Sequence, residues 1–283
     1  MKKLKIAIQK SGRLNEKSIE LLRNCGLHFE NYKSSLITSA SNFPIEILFL
    51  RDDDIPKYVE DGTADLGIAG ENVIQEKQVE VNYLQRLGFG KCELKIAIPS
   101  HSKMSSLQDL EGKSIATSYP NVLKNFLSQN QINAEIRTIS GSVEISPSLG
   151  LSDAICDIVS TGGTLRSNGL VPFAGIMSSE AILITGKSNP SDKNIGELLL
   201  RIRSVLRAGE TKYVVLNVER KNLERIIELL PGVKSPTIMP LAVGDWVAVH
   251  TAISEQDFWE KINKLKYAGA QGIIVLPIEK IIL

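Results

Sequence analysis

Ser160, Thr161, Gly162, Gly163 and Thr164 follow directly on an apolar run containing Ile155, Ile158 and Val159. These five positions offer backbone amides, two glycines and three hydroxyls. Glycine lets N–H groups approach a ligand closely, and a helix starting nearby adds the positive end of its dipole. The composition suits a phosphate cradle, although an ordinary strand-to-helix turn has the same make-up. Two carboxylates favour a ligand. Asp153 and Asp157 are four apart, so both point to one side of a strand, and Asp157 lies inside the apolar run. A carboxylate there costs free energy unless something pairs with it. A ligand with hydroxyls or a bound cation would do so, and a ribose phosphate brings hydroxyls and phosphate together. A cap or a buried salt bridge is the other account of Asp157.

Further polar groups stand where apolar runs end. Lys10, Ser11, Gly12 and Arg13 share the stretch "QKSGR" and form a candidate anion site, unless the two cations are simply solvated surface charges. Arg51 closes another apolar run at "RDDDIP". Tyr119 in "TSYPN" precedes a proline-led helix, where its ring can stack on a base or pack with its hydroxyl in water. His28, His101 and His250 are scattered, so neither a zinc site nor a histidine-based triad has support. Cys25, Cys92 and Cys156 are odd in number without metal-like spacing, and read as buried thiols in a reducing compartment.

The elements that must hold these residues alternate. Strands are expected at residues 4–8, 45–50, 64–69, 94–98, 114–117, 135–139, 154–159 and 181–185, with helices between several of them. Such alternation signals parallel α/β units. Asn15 is expected to cap a helix running to Cys25, and Pro120 to open one reaching Gln131. "LKIAI" occurs at residues 4–8 and again at 94–98, and "ADLGIAGE" resembles "CDIVSTGG", each with an aspartate five residues before a glycine. These echoes suggest two lobes of similar architecture, each pointing a strand-end loop into a cleft. After a loop at 188–194 and an arginine-bearing helix at 195–207, the order becomes βαββαβ, with a break at Pro231 and Gly232. That order fits a ferredoxin-like domain.

The chain has 283 residues, 43% hydrophobic and 23% charged, which describes a globular protein of two or three domains with ample core. A net charge of +1 argues against a generally basic nucleic-acid surface, so no nucleic-acid partner is expected. The apolar stretch after Met1 is too short for a signal-peptide core or a membrane span, so cytoplasmic residence without membrane attachment is expected.

"IAIQKSGRL", "RDDDIP", "DLGIAGENV", "ATSYPN", "DAICDIVSTGGTL" and the tail "SPTIMPLA … VLPIEK" together resemble the long form of ATP phosphoribosyltransferase, the first enzyme of histidine biosynthesis. The resemblance covers essentially the whole chain. It implies two lobes folded like type II periplasmic binding proteins, the first from residues 1–95 and 180–208 and the second, with the phosphate loop, from 96–179. An ACT-like regulatory domain at 209–283 completes the implied α/β architecture. The implied reaction joins ATP and 5-phosphoribosyl 1-pyrophosphate into N1-(5-phosphoribosyl)-ATP and pyrophosphate, with Mg²⁺ and no metal ligand assigned on the protein. Carried over by motif, residues 160–164 would hold the donor's 5-phosphate, and Asp153, Asp157 and Glu144 would face its ribose. Lys10, Gly12, Arg13 and Arg51 would face pyrophosphate or nucleotide phosphates as electrostatic groups, with Tyr119 near the adenine. Histidine, as inhibitor, would bind near Thr237 at a seam between paired domains, which makes a homo-oligomer the expected assembly. The same two-lobed architecture also serves non-catalytic solute binders and sensors, and that alternative stays open at this level.

Overall fold

Apolar β-branched runs five or six residues long can be buried on both faces only inside a parallel α/β sheet. The strand Leu4–Gln9 is such a run, and all but its polar positions are closed to solvent. The structure, a computed structural model, describes residues 3–30, 35–159, 162–186, 193–230, 235–242 and 244–282. Ser160, Thr161, Pro231, Gly232 and most of the loop expected at 188–194 lie outside them. The chain divides into two compact units, residues 1–196 and 197–283. Among the described residues no helix is long and apolar enough to cross a membrane.

The first unit contains two sheets. Strands β1 (Leu4–Gln9), β2 (Ile37–Ser39), β3 (Ile45–Leu50), β4 (Leu66–Gly70) and β5 (Asn82–Arg86) belong to one, with helices α1 (Arg13–Asn24), α2 (Ile55–Glu60) and α3 (Glu71–Lys77). The chain then crosses to β6 (Cys92–Pro99), β7 (Ser114–Thr117), β8 (Glu135–Thr138), β9 (Ala154–Val159) and β10 (Leu170–Ser179), with α4 (Pro120–Gln129) and α5 (Gly163–Ser167). It returns to the first sheet as β11 (Ala181–Thr185). The sheet orders are β2-β3-β1-β4-β11-β5 and β10-β6-β9-β7-β8. In each, three strands run parallel (β3, β1, β4 and β8, β7, β9) and the strand that has just crossed over, β11 or β6, lies antiparallel beside the third. Apart from β2, the two lobes therefore share one topology.

That topology sorts the two sequence echoes. "ADLGIAGE" and "CDIVSTGG" fall on β4 and β9, the equivalent third strands, and each runs on into a helix. The "LKIAI" echo does not mark equivalent strands. Residues 94–98 lie in β6, the antiparallel crossover strand, whereas the counterpart of β1 is β7. The two strands look alike because both are central, where burial selects the same apolar composition. The second sheet already begins at Cys92, so a lobe boundary after residue 95 would cut β6.

Helix α1 starts at Arg13, not after an Asn15 cap. Gly12 precedes it at φ +91°, and the buried Asn15 amide donates to the Gln9 carbonyl instead. Pro120 takes the first position of α4 as expected. Cys25 and Cys156 are buried thiols, but Cys92, where the chain crosses between sheets, is only half-buried.

In the second unit, α6 (Lys193–Gly209) leads into β12 (Thr211–Glu219), α7 (Leu223–Leu229), β13 (Thr237–Pro240), β14 (Trp246–Ser254), α8 (Glu255–Tyr267) and β15 (Gln271–Pro277). The antiparallel order β13-β14-β12-β15 is that of a ferredoxin-like domain. Val214, Leu216, Val249, Ile226, Phe258 and Leu265 build its core between the sheet and the two helices.

Gly67 shows how closely the first lobe packs. A Cβ there would stand 2.8 Å from both Ile55 Cγ2 and Val59 Cγ2 of α2, and 3.3 Å from Ile184 Cγ1 of β11. Those neighbours are β-branched and fully buried, so they cannot turn aside. Gly67→Ala should cost about 1–3 kcal/mol, read as a lower melting temperature. An unchanged melting temperature would contradict this helix–strand contact.

Candidate functional site

Along β9 the side chains alternate between two packing layers. Ala154 and Cys156 join the core under α4, while Ile155 and Val159 join a second cluster with Val143 and Leu165. Asp157 continues the second series, so it points toward the turn that carries Glu144 and toward α5. It is half-buried, and the Ile158 N–H donates to its Oδ1 at 2.7 Å. Burial pushes its pKa up, that N–H draws it part of the way back, and the Glu144 carboxylate raises it again. Glu144 sits in a 3-10 turn, Val143–Ile145, anchored by the buried Val143 and entered through Ser142 at φ +50°. Two half-buried carboxylates thus stand together beside the start of α5, where hydroxyl donors of a ligand would relieve both.

The glycine loop lies at the C-terminal end of β9. Gly162 has φ +70°, a conformation that penalises any side chain, and Gly163 and Thr164 open α5. A Cβ on Gly162 would come 3.4 Å from Nη1 of Arg166, so a guanidinium stands over this loop. Reading the residues as motifs missed Arg166. Its signal was the spacing: four residues after Gly162 places it back over the first turn of α5. Cys156 is buried and pushed up to about 12, chiefly by that burial, so it is a protonated thiol and not a nucleophile.

Asp153 does not belong to this group. It precedes β9, and its Oδ2 accepts both the N–H and the hydroxyl of Ser114 at 2.8 Å each, which tie it to the start of β7. The Ser114 N–H holds its pKa below the usual carboxylate range. The structure ties Asp153 to the start of β7 and not to the pair Asp157 and Glu144. Side parity was right, but four residues of strand separate Asp153 from Asp157 by about 13 Å.

On the first lobe, β1 and β3 are paired in register, Gln9 opposite Leu50, so the residues that follow both strands converge. Lys10 and Arg51 line one cavity of about 410 Å³ with Ser11, Asp52 and Asp53. Arg13, on the first turn of α1, is not among its lining residues. The cavity therefore mixes cations with carboxylates, a charge balance that reading Arg51 alone overlooked. Asp53 is paired with Lys77 at 3.2 Å.

Tyr119 links the lobes. Its ring packs on the core of the second sheet, and its hydroxyl accepts a hydrogen bond from Asn72 Nδ2 of α3 at 3.1 Å. Burial raises the phenol pKa, and the charges of Asp157 and Asp52 add to the shift. The charge on this hydroxyl is thus opposed by carboxylates of both lobes. In the C-terminal unit, Thr237 is exposed on edge strand β13, opposite His250, whose Nδ1 lies 3.1 Å from the Tyr213 hydroxyl.

These features define a two-lobed α/β protein with polar loops at the C-terminal ends of parallel strands in each sheet. A solved structure described as a binding component of an ABC transporter from Wolinella succinogenes, complexed with lysine, shares the fold at 13% identity (TM-score 0.50, 74% of this chain and 91% of that one). The sequence matches the family described as ATP phosphoribosyltransferase over residues 51–204, and the family described as HisG, C-terminal domain, over 208–280. ATP phosphoribosyltransferases of Cytophaga hutchinsonii and Bacteroides thetaiotaomicron are each 52% identical over 281 residues, covering 99% of this chain and 98% and 99% of theirs. The ATP phosphoribosyl transferase (HisG:HisZ) complex from Thermotoga maritima matches at 29% identity and TM-score 0.62, over 71% of this chain and 96% of that one. The chain belongs to the ATP phosphoribosyltransferase family, in the long form that carries the C-terminal domain.

Asp157 yields a test with a definite sign. Its folded-state pKa lies above the unfolded value, so its favourable contribution is full below about pH 3.8 and is lost as pH rises through the folded pKa. At neutral pH the ionised group is a cost. Asp157→Asn should therefore melt no lower than the parent at about pH 7, lose any advantage near pH 4, and lose most turnover. A lower melting temperature at neutral pH would point to a structural salt bridge instead.

Proposed function

We propose that this chain transfers the 5-phosphoribosyl group of 5-phosphoribosyl 1-pyrophosphate to N1 of the adenine of ATP, releasing pyrophosphate. The observation that carries this reading is the pair Asp157 and Glu144 beside the glycine loop. A carboxylate pair suits ribose hydroxyls, and an N–H-rich loop one step along the chain suits the 5-phosphate of the same sugar. In the reaction the bond from the anomeric carbon to pyrophosphate breaks as the bond to adenine N1 forms. Positive charge builds on the ribose ring and negative charge on the departing oxygen. Lys10 and Arg51, with Arg13 and the Gly12 turn, would hold the triphosphate of ATP on the first lobe, and the carboxylates beside the donor on the second lobe favour an electron-poor ribose. Clamping and fixed charge can supply such a step without a covalent nucleophile.

Magnesium would neutralise the pyrophosphate. Among the described residues no three His, Cys, Asp or Glu side chains converge as a metal site. The ion is therefore expected to enter on substrate phosphates, with Asp157 and Glu144 the carboxylates nearest the donor.

The separate ferredoxin-like unit carries none of these groups, which supports a regulatory role. In this reading the reaction opens histidine biosynthesis. Histidine, the end product, binds near Thr237 where such domains pair, and favours a less active oligomer. By linkage it inhibits only if it binds that assembly more tightly.

Two measurements test this function. Gly162→Val should weaken calorimetric binding of the ribosyl donor by about tenfold or more, since charge-assisted hydrogen bonds of about 1.5–3 kcal/mol each are lost. Unchanged binding would reduce the loop to a turn. Histidine should inhibit without competing with the ribosyl donor, and Thr237→Arg should relieve it. Competition with the donor would place histidine in the cleft.

A further inference from the structure

Helix α4 opens with Pro120, and none of its own side chains caps it. The first N–H groups of a helix have no partner within it, so those of Asn121 and Val122 need an acceptor from elsewhere. They find it on the other lobe. Glu76 of α3 accepts the Asn121 N–H with Oε1 at 3.1 Å and Oε2 at 3.0 Å, and the Val122 N–H with Oε2 at 3.0 Å. The Asn121 side-chain amide returns a hydrogen bond to the Glu76 carbonyl at 2.9 Å. Glu76 is buried, at 9% exposure, so its charge is held by these donors and by the positive end of the helix.

Asn72 lies four residues earlier, on the same face of α3. Its Nδ2 reaches the Tyr119 hydroxyl, and its Oδ1 accepts from the Ser179 hydroxyl at 2.8 Å. Ser179 in turn accepts the Asn72 N–H at 3.0 Å. Ser179 ends β10, where the chain returns to the first lobe. A Cβ on Gly70 would sit 2.4 Å from Asn72 Oδ1, so that glycine makes room for this arrangement. Two lobes joined by crossing segments can swing about them. A second point of contact fixes the angle.

We propose that Glu76 is a positioning residue, which holds the lobes at the separation that phosphoribosyl transfer requires by capping α4 from across the cleft. The inference rests on the functional reading above, because only a reaction between ligands of both lobes needs that separation. The loop at 162–164 and Asp157 lie in one lobe, so binding of the donor alone does not depend on it.

Hydrogen exchange and kinetics on the full chain test this directly. In the parent, the Asn121 and Val122 amides should be protected, although first-turn amides ordinarily exchange readily. Glu76→Gln, which keeps the size but loses the charge, should speed their exchange and lower kcat by about tenfold or more. The dissociation constant of the ribosyl donor should stay within about twofold of the parent's. Glu76→Ala should exceed Glu76→Gln in both effects. Rapid exchange in the parent overturns the proposal without any variant being needed. Faster exchange with parental kcat overturns it too, as does a loss of activity matched by weaker donor binding. A parent that protects both amides but transfers no phosphoribosyl group overturns the functional reading and this positioning role with it, while the interlobe cap itself stands on its exchange data.

Discussion

A buried carboxylate answered by the end of a helix on the other lobe is the contact on which the rest of the arrangement depends. Among the described residues, neither the Glu76 carboxylate nor the first-turn N–H groups of Asn121 and Val122 have a partner within their own lobe, and each is satisfied when the lobes meet. Separating them would strand a charge and two N–H groups together, so the contact favours one lobe angle over a continuum. In the proposed reaction, the approach of ligands held by the two lobes follows from that angle. Tyr119, immediately before α4, is held where Asp52 and Asp157 both act on its hydroxyl. The loops after β1 and β9 follow the C-terminal ends of parallel strands on the two sheets.

Charge is handled oppositely at the two aspartates of the second lobe. Asp153 receives the N–H and hydroxyl of Ser114 and is stabilised as an anion. Asp157 receives one N–H and is left beside a second carboxylate in a half-buried position. The first pays back in fold stability; the second is a standing cost that a ligand can relieve. A site kept at the expense of stability is expected where binding must be strong and specific.

Most of the architecture was legible in the sequence because burial writes it there. Apolar runs bounded by glycine and proline located β3, β7, β9 and β11 to the residue, and βαββαβ spacing anticipated the ferredoxin-like sheet. What escaped was whatever depends on partners distant along the chain. Strand β5 reads "NYLQR" and is largely exposed, so it carries no apolar signature; its place comes from pairing with β11. Asp153 and Asp157 have equivalent side parity, and only the direction of β9 and the hydroxyl of Ser114, 39 residues earlier, separate their roles. Glu76 carries no local signal in the sequence, since nothing near it shows that α4 lacks a side-chain cap of its own. Asn72 stands inside the motif "DLGIAGENV", yet its partners Tyr119 and Ser179 are 47 and 107 residues away.

In the proposed reaction two polyanionic ligands, one on each lobe, are joined through a new bond between the ribose and adenine. The measurement that meets it most directly is the structure of the product formed from ATP and 5-phosphoribosyl 1-pyrophosphate with magnesium, by NMR, alongside the stoichiometry of pyrophosphate release. The expected product has the anomeric carbon bonded to adenine N1, with one ATP consumed for each pyrophosphate formed. Ribose 5-phosphate appearing with ATP left intact, or a ribosyl group attached elsewhere on the nucleotide, would contradict it.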